Sequence, residues 1–522
     1  MQKPTLYLKN AMLLTISGFG LRAVGMLFRV WLAAWIGAEG MGLYQLALSV
    51  YNLAVTFATA GISVAATRLV AEELASDHPA KAAGALRRVA GTGALLGLAA
   101  GALQFLAAYP ASKYLLGDAR AELSLRLLAP GLPFMAVAAA LRGYFLARRK
   151  VAPSVESQTA EQLLRIALIA WLLRQVKGWG VGWACAAVML GSTAGEIVSC
   201  LLMLLFWLRD RRSLPAGDRR APADIAPRLW RILLPLEGSR CLASALAAAE
   251  NALVPACLAL YTGSRAQALA QYGALKGMAL PVLFFPFSIL GALATLLLPE
   301  ITEAHIRGRT VQLQNLLSRM LLLTATFSVL GGGLFTLYAQ PLGRLLYGSG
   351  EVGLYLMVLG PLTPLMYLES MVDGALKGMG QQMATFRYSL QDSVLRILLI
   401  LLALPRFGIG GFLGVMAFSN TFTCLMNLHR LLDTADLRFD WLRWALRPLA
   451  CLAPALGLAW LVSGCTAPWG TLVQIGAGGA AGALAYLALM WPGALKPALC
   501  GMRSGRQKTS LQISDIKSAK IS

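Results

Sequence analysis

The 522-residue sequence is 57% hydrophobic and only 13% charged, with a mean hydropathy of +0.64, which excludes a chain whose surface mostly faces water. Lysine and arginine number 46 against 24 aspartates and glutamates, a formal charge of +22. The basic residues gather in alternate short connections without interleaved aromatics, so the excess reads as membrane topology, with no nucleic-acid partner.

Apolar runs of about 20 residues or more recur from end to end, each matching the roughly 30 Å hydrocarbon core of a bilayer. They are continuous rather than alternating, which favours helices over a barrel. The expectation is an all-α polytopic membrane protein of about fourteen transmembrane helices. These fall at 11–36, 43–65, 86–109, 122–147, 158–174, 180–208, 229–262, 268–298, 317–338, 353–376, 385–404, 409–429, 441–463 and 469–491. The first run follows Lys3 and Lys9 and is too long for a secretory h-region, so it is read as an uncleaved span. Arg87 and Arg88, Arg148 to Lys150, the run from Arg209 to Arg231, Arg307 with Arg309, and Arg430 to Arg447 share one face, which places both termini in the cytoplasm.

The connection from Arg209 to Arg228 holds Pro215, Gly217, Pro222 and Pro227 and divides the chain. The expected domains are an N-lobe at 1–208, a cytoplasmic interlobe linker at 209–228 and a C-lobe at 229–432. Two further helices lie at 433–500, and a disordered cytoplasmic tail at 501–522. The halves repeat. Leu-Ala-Pro130-Gly-Leu-Pro133-Phe-Met135 is echoed 231 residues later by Leu-Gly-Pro361-Leu-Thr-Pro364-Leu-Met366. The same offset carries Glu161 to Asp392 and Arg165 to Arg396, and an offset of 228 carries Thr67 to Thr295 and Glu72 to Glu300. The displacement is an even number of spans, so the two lobes have the same orientation and are expected to be pseudo-symmetric about a central cavity.

The charged residues inside these spans are the candidates for function. Gly18, Arg22, Gly25 and Arg29 sit at i, i+4, i+7 and i+11, a stripe roughly 60° wide on the first helix. A central arginine opposes insertion by about 2.5–3.5 kcal/mol unless it meets water, an anion or a carboxylate. Guanidinium forks match phosphate oxygens bidentately, which favours a pyrophosphate-bearing substrate. Glu161 with Arg165 and Asp392 with Arg396 are i, i+4 pairs in repeated spans, either structural ion pairs or residues lining the substrate path. Glu250 and Asn251 lie deep in the seventh span, which also carries Glu237 and Arg240, and are the expected site for coupling to Na+ or H+. The alternative is a polar contact between helices.

The 8 cysteines are scattered without a C-x-x-C pair, and His78, His305 and His429 are far apart, so no metal site is expected. No G-x-x-x-x-G-K-[ST] motif encodes an ATP-driven engine, and no nucleophile motif occurs. The expected cofactor list is empty, and the chain is read as a transporter rather than an enzyme.

The run Arg22-Ala-Val-Gly25, Arg29, Ile-Gly37-Ala38-Glu39-Gly40-Met-Gly42-Leu-Tyr44-Gln45, Ala60-Gly61-Ile-Ser63 and Leu69-Val-Ala-Glu72-Glu73 carries a family likeness. It resembles the opening of the stage V sporulation protein B and polysaccharide-exporter branch of the MOP exporter superfamily, relatives of the MurJ-type lipid II flippases. The resemblance implies an alternating-access flippase for a polyprenyl-pyrophosphate-linked glycan precursor in the bacterial cytoplasmic membrane, acting in spore or cell wall formation. It implies first-helix arginines facing the substrate, matched by Arg22 and Arg29, and a basic residue in the eighth helix, where Lys276 is available. Expected partners are a lipid-linked oligosaccharide or lipid II, membrane lipids and cell-wall synthases. The rival readings are a multidrug or small-cation exporter of the same superfamily and a membrane glycan polymerase or ligase.

Overall fold

The computed structural model describes residues 4–59, 61–75, 79–213 and 224–492. The expected tail at 501–522, residues 214–223 of the interlobe linker, His78 and Cys500 lie outside the described residues. Among the described residues every regular element is helical. In hydrocarbon each backbone N–H and C=O must be paired within the protein, and long apolar runs meet that demand as helices.

The chain divides into two compact units. The first comprises Met1–Phe285 with Ser389–Val415. It contains α1 (Pro4–Thr59), α2 (Ile62–Ala75), α3 (Ala82–Pro110), α4 (Ala121–Leu128) and α5 (Gly131–Ala147). It continues through α6 (Ala152–Gln175), α7 (Val181–Asp210), α8 (Ile225–Thr262), α9 (Arg265–Tyr272) and α10 (Leu280–Phe284). The second unit comprises Pro286–Tyr388 with Met416–Ser522. Its helices are α11 (Phe287–Ile306), α12 (Thr310–Leu337), α13 (Ala339–Tyr347), α14 (Gly350–Leu359) and α15 (Thr363–Gly378), then the ends of α16 (Gln382–Ala435), then α17 (Arg447–Thr466) and α18 (Thr471–Met490). Segment 229–285, expected to open the C-lobe, thus groups with the first unit, as does the middle of α16.

Ten helices among the described residues are long and apolar enough to cross a membrane, or eleven if the α4–α5 pair is one bent span. The expected fourteen is therefore approximate, and the reasons are local. Helices α1 and α16 each run through a backbone break, at Gly37 (φ 70°, ψ 179°) and Gly408 (φ 56°, ψ −140°), where one long element holds two expected spans. Helix α6 covers an expected span but carries Glu156, Glu161, Arg165 and Arg174, which lower its hydropathy.

The repeated proline motif marks a break in both copies. Pro130 separates α4 from α5 at a bend of 41°, and Pro361 sits in the 3-10 turn Gly360–Leu362 between α14 and α15. A proline removes one ladder hydrogen bond and crowds the preceding turn, so the backbone bends there. In the first unit α2, α3, α5, α7 and α8 close on a core that includes Ile62, Leu69, Leu86, Tyr144, Phe145, Met203 and Leu229. The second half of α1 meets α9 backbone to backbone. A Cβ on Gly42 would lie 2.1 Å from the Leu269 carbonyl oxygen, and one on Gly273 would lie 2.0 Å from that of Ala38. Only glycine permits that approach. In the second unit α17 and α18 form a hairpin, held to the end of α12 by Tyr338, whose hydroxyl lies 2.6 Å from Ser463 Oγ.

Candidate functional site

All nine sequence-derived candidates lie in the first unit: Arg22, Arg29, Glu161, Arg165, Glu250, Asn251, Lys276, Asp392 and Arg396. They fall into one stripe and two networks.

The stripe on α1 faces α6. A Cβ on Gly25 would approach Gln162 Nε2 at 3.9 Å, and helical spacing puts Arg22 and Arg29 on the same side. Arg29 is half-buried and, with Arg165, lies within electrostatic reach of the Tyr44 hydroxyl. Arg22 is exposed. Neither arginine has an acidic partner among the described residues.

The first network joins α5, α6 and α7. Arg165 donates through Nη2 to Glu161 Oε1 at 2.6 Å and to Glu196 Oε1 at 3.2 Å, and through Nη1 to Gln162 Oε1 at 3.4 Å. Arg142 donates to Glu161 Oε2 at 3.4 Å and to Ser199 Oγ at 3.1 Å. Two guanidiniums therefore face two carboxylates, and the buried charges cancel. The alternative to such pairing inside a membrane is several kcal/mol of uncompensated desolvation per ion. Tyr51 from α1 lies against the same charges and donates to Met135 Sδ at 3.8 Å.

The second network joins α8, the turn after α9, and α16. Arg396 pairs with Asp392 one turn away and donates through Nη1 to both oxygens of Glu250 at 3.3 Å. Lys276 Nζ lies 3.9 Å from Glu250 and 5.8 Å from the centroid of the Phe412 ring. Tyr272 donates to Asn251 Oδ1 at 3.0 Å. Lys276 sits in the π-helical turn Gly273–Ala279, a distortion that shifts side chains out of α-helical register and recurs at functional positions. Again two cations meet two anions. Among the described residues no group of three or more His, Cys, Asp and Glu could hold a metal ion.

Both i, i+4 pairs read from the sequence are formed, and Lys276, expected on its own, joins Glu250 and Arg396. Arg142 and Glu196 were missed. The repeat register carries them to Asp373 and Asn427, so their charge is not echoed and the internal comparison had no reason to flag them. The 228-residue register that aligns Tyr44 with Tyr272 also places Glu250 at the position of Arg22. The first half thus carries a cation with no ion pair among the described residues where the second carries an anion bound by two cations.

Residues 7–305, more than half of the chain, match the family described as polysaccharide biosynthesis protein. The chain belongs to that family. This polysaccharide biosynthesis family member is 29% identical over 415 residues to stage V sporulation protein B of Bacillus subtilis (strain 168), across 78% of its own length and 79% of the relative's. Its fold is similar to that of a lipid II flippase MurJ in an inward closed conformation, with a TM-score of 0.67 at 15% identity, covering 92% of this chain and 98% of that one. It is also similar to an inward-facing multidrug resistance MATE family transporter of the MOP superfamily, with a TM-score of 0.65 at 16% identity, covering 83% and 99%. The polysaccharide biosynthesis family member is a multi-pass membrane protein with the MOP superfamily fold.

Proposed function

We propose that the protein is an alternating-access flippase for a polyprenyl-pyrophosphate-linked glycan precursor, lipid II-like or an oligosaccharide, in spore or cell wall formation. The observation that carries this reading is the state of Arg22 and Arg29. The cations of both networks are paired with carboxylates, whereas these two guanidiniums, on a glycine-bearing face of α1, have no acidic partner among the described residues. A pair of forked donors on one helical face suits the oxygens of a pyrophosphate. The printed roles of the relatives, a lipid II flippase and a sporulation protein, support the same substrate class.

In this reading the protein is a transporter of the bacterial cytoplasmic membrane with both termini in the cytoplasm, and the connections bearing Arg87, Arg148 and Arg307 lie on that side. Cell-wall synthases are its downstream partners. Coupling to Na+ or H+ is assigned to Glu250 and Asn251. Because Glu250 already faces Arg396 and Lys276, loading it requires releasing one of those cations.

The test is reconstitution into liposomes with a labelled lipid-linked oligosaccharide, scored by its appearance on the opposite leaflet. Arg22→Ala is expected to slow movement by about tenfold or more, the loss of one charge-assisted phosphate contact, with Arg22→Lys intermediate. Unchanged movement in Arg22→Ala removes the substrate-site assignment.

A further inference from the structure

At the end of the first unit where α3 passes to α4 and α6 passes to α7, a cleft of about 520 Å³ opens between the two connections. That volume falls within the roughly 300–1,000 Å³ of small-molecule sites. Arg120, Glu122 and Arg126 line one side, and Trp179, Gly182 and Trp183 the other. The basic contacts of Arg148 and Lys150 with Asp210 mark the other end of the same helices. Under the topology proposed above, the cleft is on the external face.

The cleft is built rather than incidental. Asp118 accepts hydrogen bonds from the Arg120 backbone N–H at 3.0 Å and from Arg120 Nη2 at 2.7 Å, while Arg120 Nη1 reaches Glu39 on α1 at 2.7 Å. Arg265 bonds the Leu116 carbonyl and so ties the same turn to α9. Gly178 and Gly180, at φ 91° and 95°, fold the opposing connection, and Gly182 lies against Arg120, a Cβ there meeting Arg120 Cβ at 3.3 Å. The two indoles, 61% and 50% exposed, stand edge to face with centroids 5.5 Å apart.

The chemistry selects the occupant. Every guanidinium in the cleft already has a carboxylate: Arg120 has Asp118 and Glu39, and Arg126 has Glu122 at 2.7 Å. A polyanion such as a phospholipid headgroup or free pyrophosphate finds no uncommitted cation. An uncharged sugar does not need one. Its C–H face meets the electron-rich face of an indole, and its hydroxyls both donate to carboxylates and accept from guanidiniums without disturbing the charge balance.

We propose that this cleft is a second, sugar-binding subsite that holds one or two neutral pyranose rings of the translocated headgroup on the release side. Its role in release rests on the flippase reading, whereas sugar binding itself is testable alone. Full-length protein in phosphatidylcholine nanodiscs is titrated calorimetrically with soluble neutral di- and trisaccharides, and in a second arm with a lipid-linked oligosaccharide. Saturable binding is expected in both. Trp179→Ala and Trp183→Ala should each weaken it at least about fivefold, while Trp183→Phe keeps most of the affinity because an aromatic face remains. Arg22→Ala should leave binding of the soluble sugar unchanged. If the alanine variants fail to fold, Glu122→Gln, which frees Arg126, should shift preference toward an acidic disaccharide. The proposal is overturned if wild-type protein binds no soluble sugar. It is equally overturned if the variants leave the affinity untouched, or alter only affinity for phosphatidylglycerol in a third set of nanodiscs, which would make the tryptophans interfacial anchors. Sugar binding without any flipping defeats the flippase reading alone, and flipping without sugar binding defeats this proposal alone.

Discussion

Replacing Arg165 by methionine removes the cation shared by two buried carboxylates, and the structure says which of them suffers. Glu161 retains Arg142 at 3.4 Å, whereas Glu196, its side chain only 9% exposed, has no other ion pair among the described residues. Removing one member of a fully buried pair costs about 3–5 kcal/mol. The Arg165 side chain is 23% exposed, so water takes up part of the loss and the expected destabilisation is about 2–3 kcal/mol. Glu196→Gln alone forfeits one charge-assisted hydrogen bond and should cost about 1–2 kcal/mol. The double variant leaves Arg142 and Glu161 as a balanced pair, so its destabilisation should fall short of the sum of the singles by at least about 1 kcal/mol. The assay is a double-mutant cycle on detergent-solubilised protein, read by equilibrium unfolding in mixed micelles. Additivity to within about 0.5 kcal/mol would refute the claim that these side chains act as one neutralising unit.

Two further outcomes follow from other parts of the first unit. Gly42→Ala places a methyl 2.1 Å from the Leu269 carbonyl oxygen, so α1 and α9 must separate; destabilisation of about 1–3 kcal/mol or more is expected in a thermal melt, and an unchanged midpoint would contradict the contact. Burial pushes the Asp118 carboxyl up, but its hydrogen bonds to Arg120 and the charges of Arg120 and Arg265 outweigh this and hold it below its ordinary value of 3.8. Its contribution is therefore fully present above that value and is lost as pH falls through the lower folded-state value. Asp118→Asn should cost about 1–3 kcal/mol at pH 7, constant down to about pH 4 and shrinking below, as read from melting midpoints across pH; a gap that widens in acid would reverse the sign of the argument.

Much of this was legible in the sequence, and the part that was not has identifiable causes. The all-helical membrane class follows from continuous apolar runs, and the pairs Glu161 with Arg165 and Asp392 with Arg396 follow from i, i+4 spacing in two copies. The stripe of Arg22 and Arg29 was visible for the same periodic reason. Arg142 and Glu196 were not, because ion pairs between helices have no sequence spacing and the second copy carries Asp373 and Asn427 instead. The π-helical turn at Lys276 left no mark either, since it adds no unusual residue to Gly-Ala-Leu-Lys-Gly-Met-Ala. Trp179 and Trp183 carry no spacing that links them to Arg120; only the fold sets Gly182 against the Arg120 turn and lines one cleft with all three.

The exchange of Arg22 for Glu250 between matching positions means that the duplicated halves have become non-interchangeable parts. A protein assembled from two copies of the first half would present two sets of guanidiniums without acidic partners, while one built from two copies of the second would carry an anion at both positions and no such guanidinium at either. Each copy is committed to one electrostatic task, so a heterodimer of separately expressed halves is expected to restore the charge pattern of the intact chain where a homodimer of either half is not.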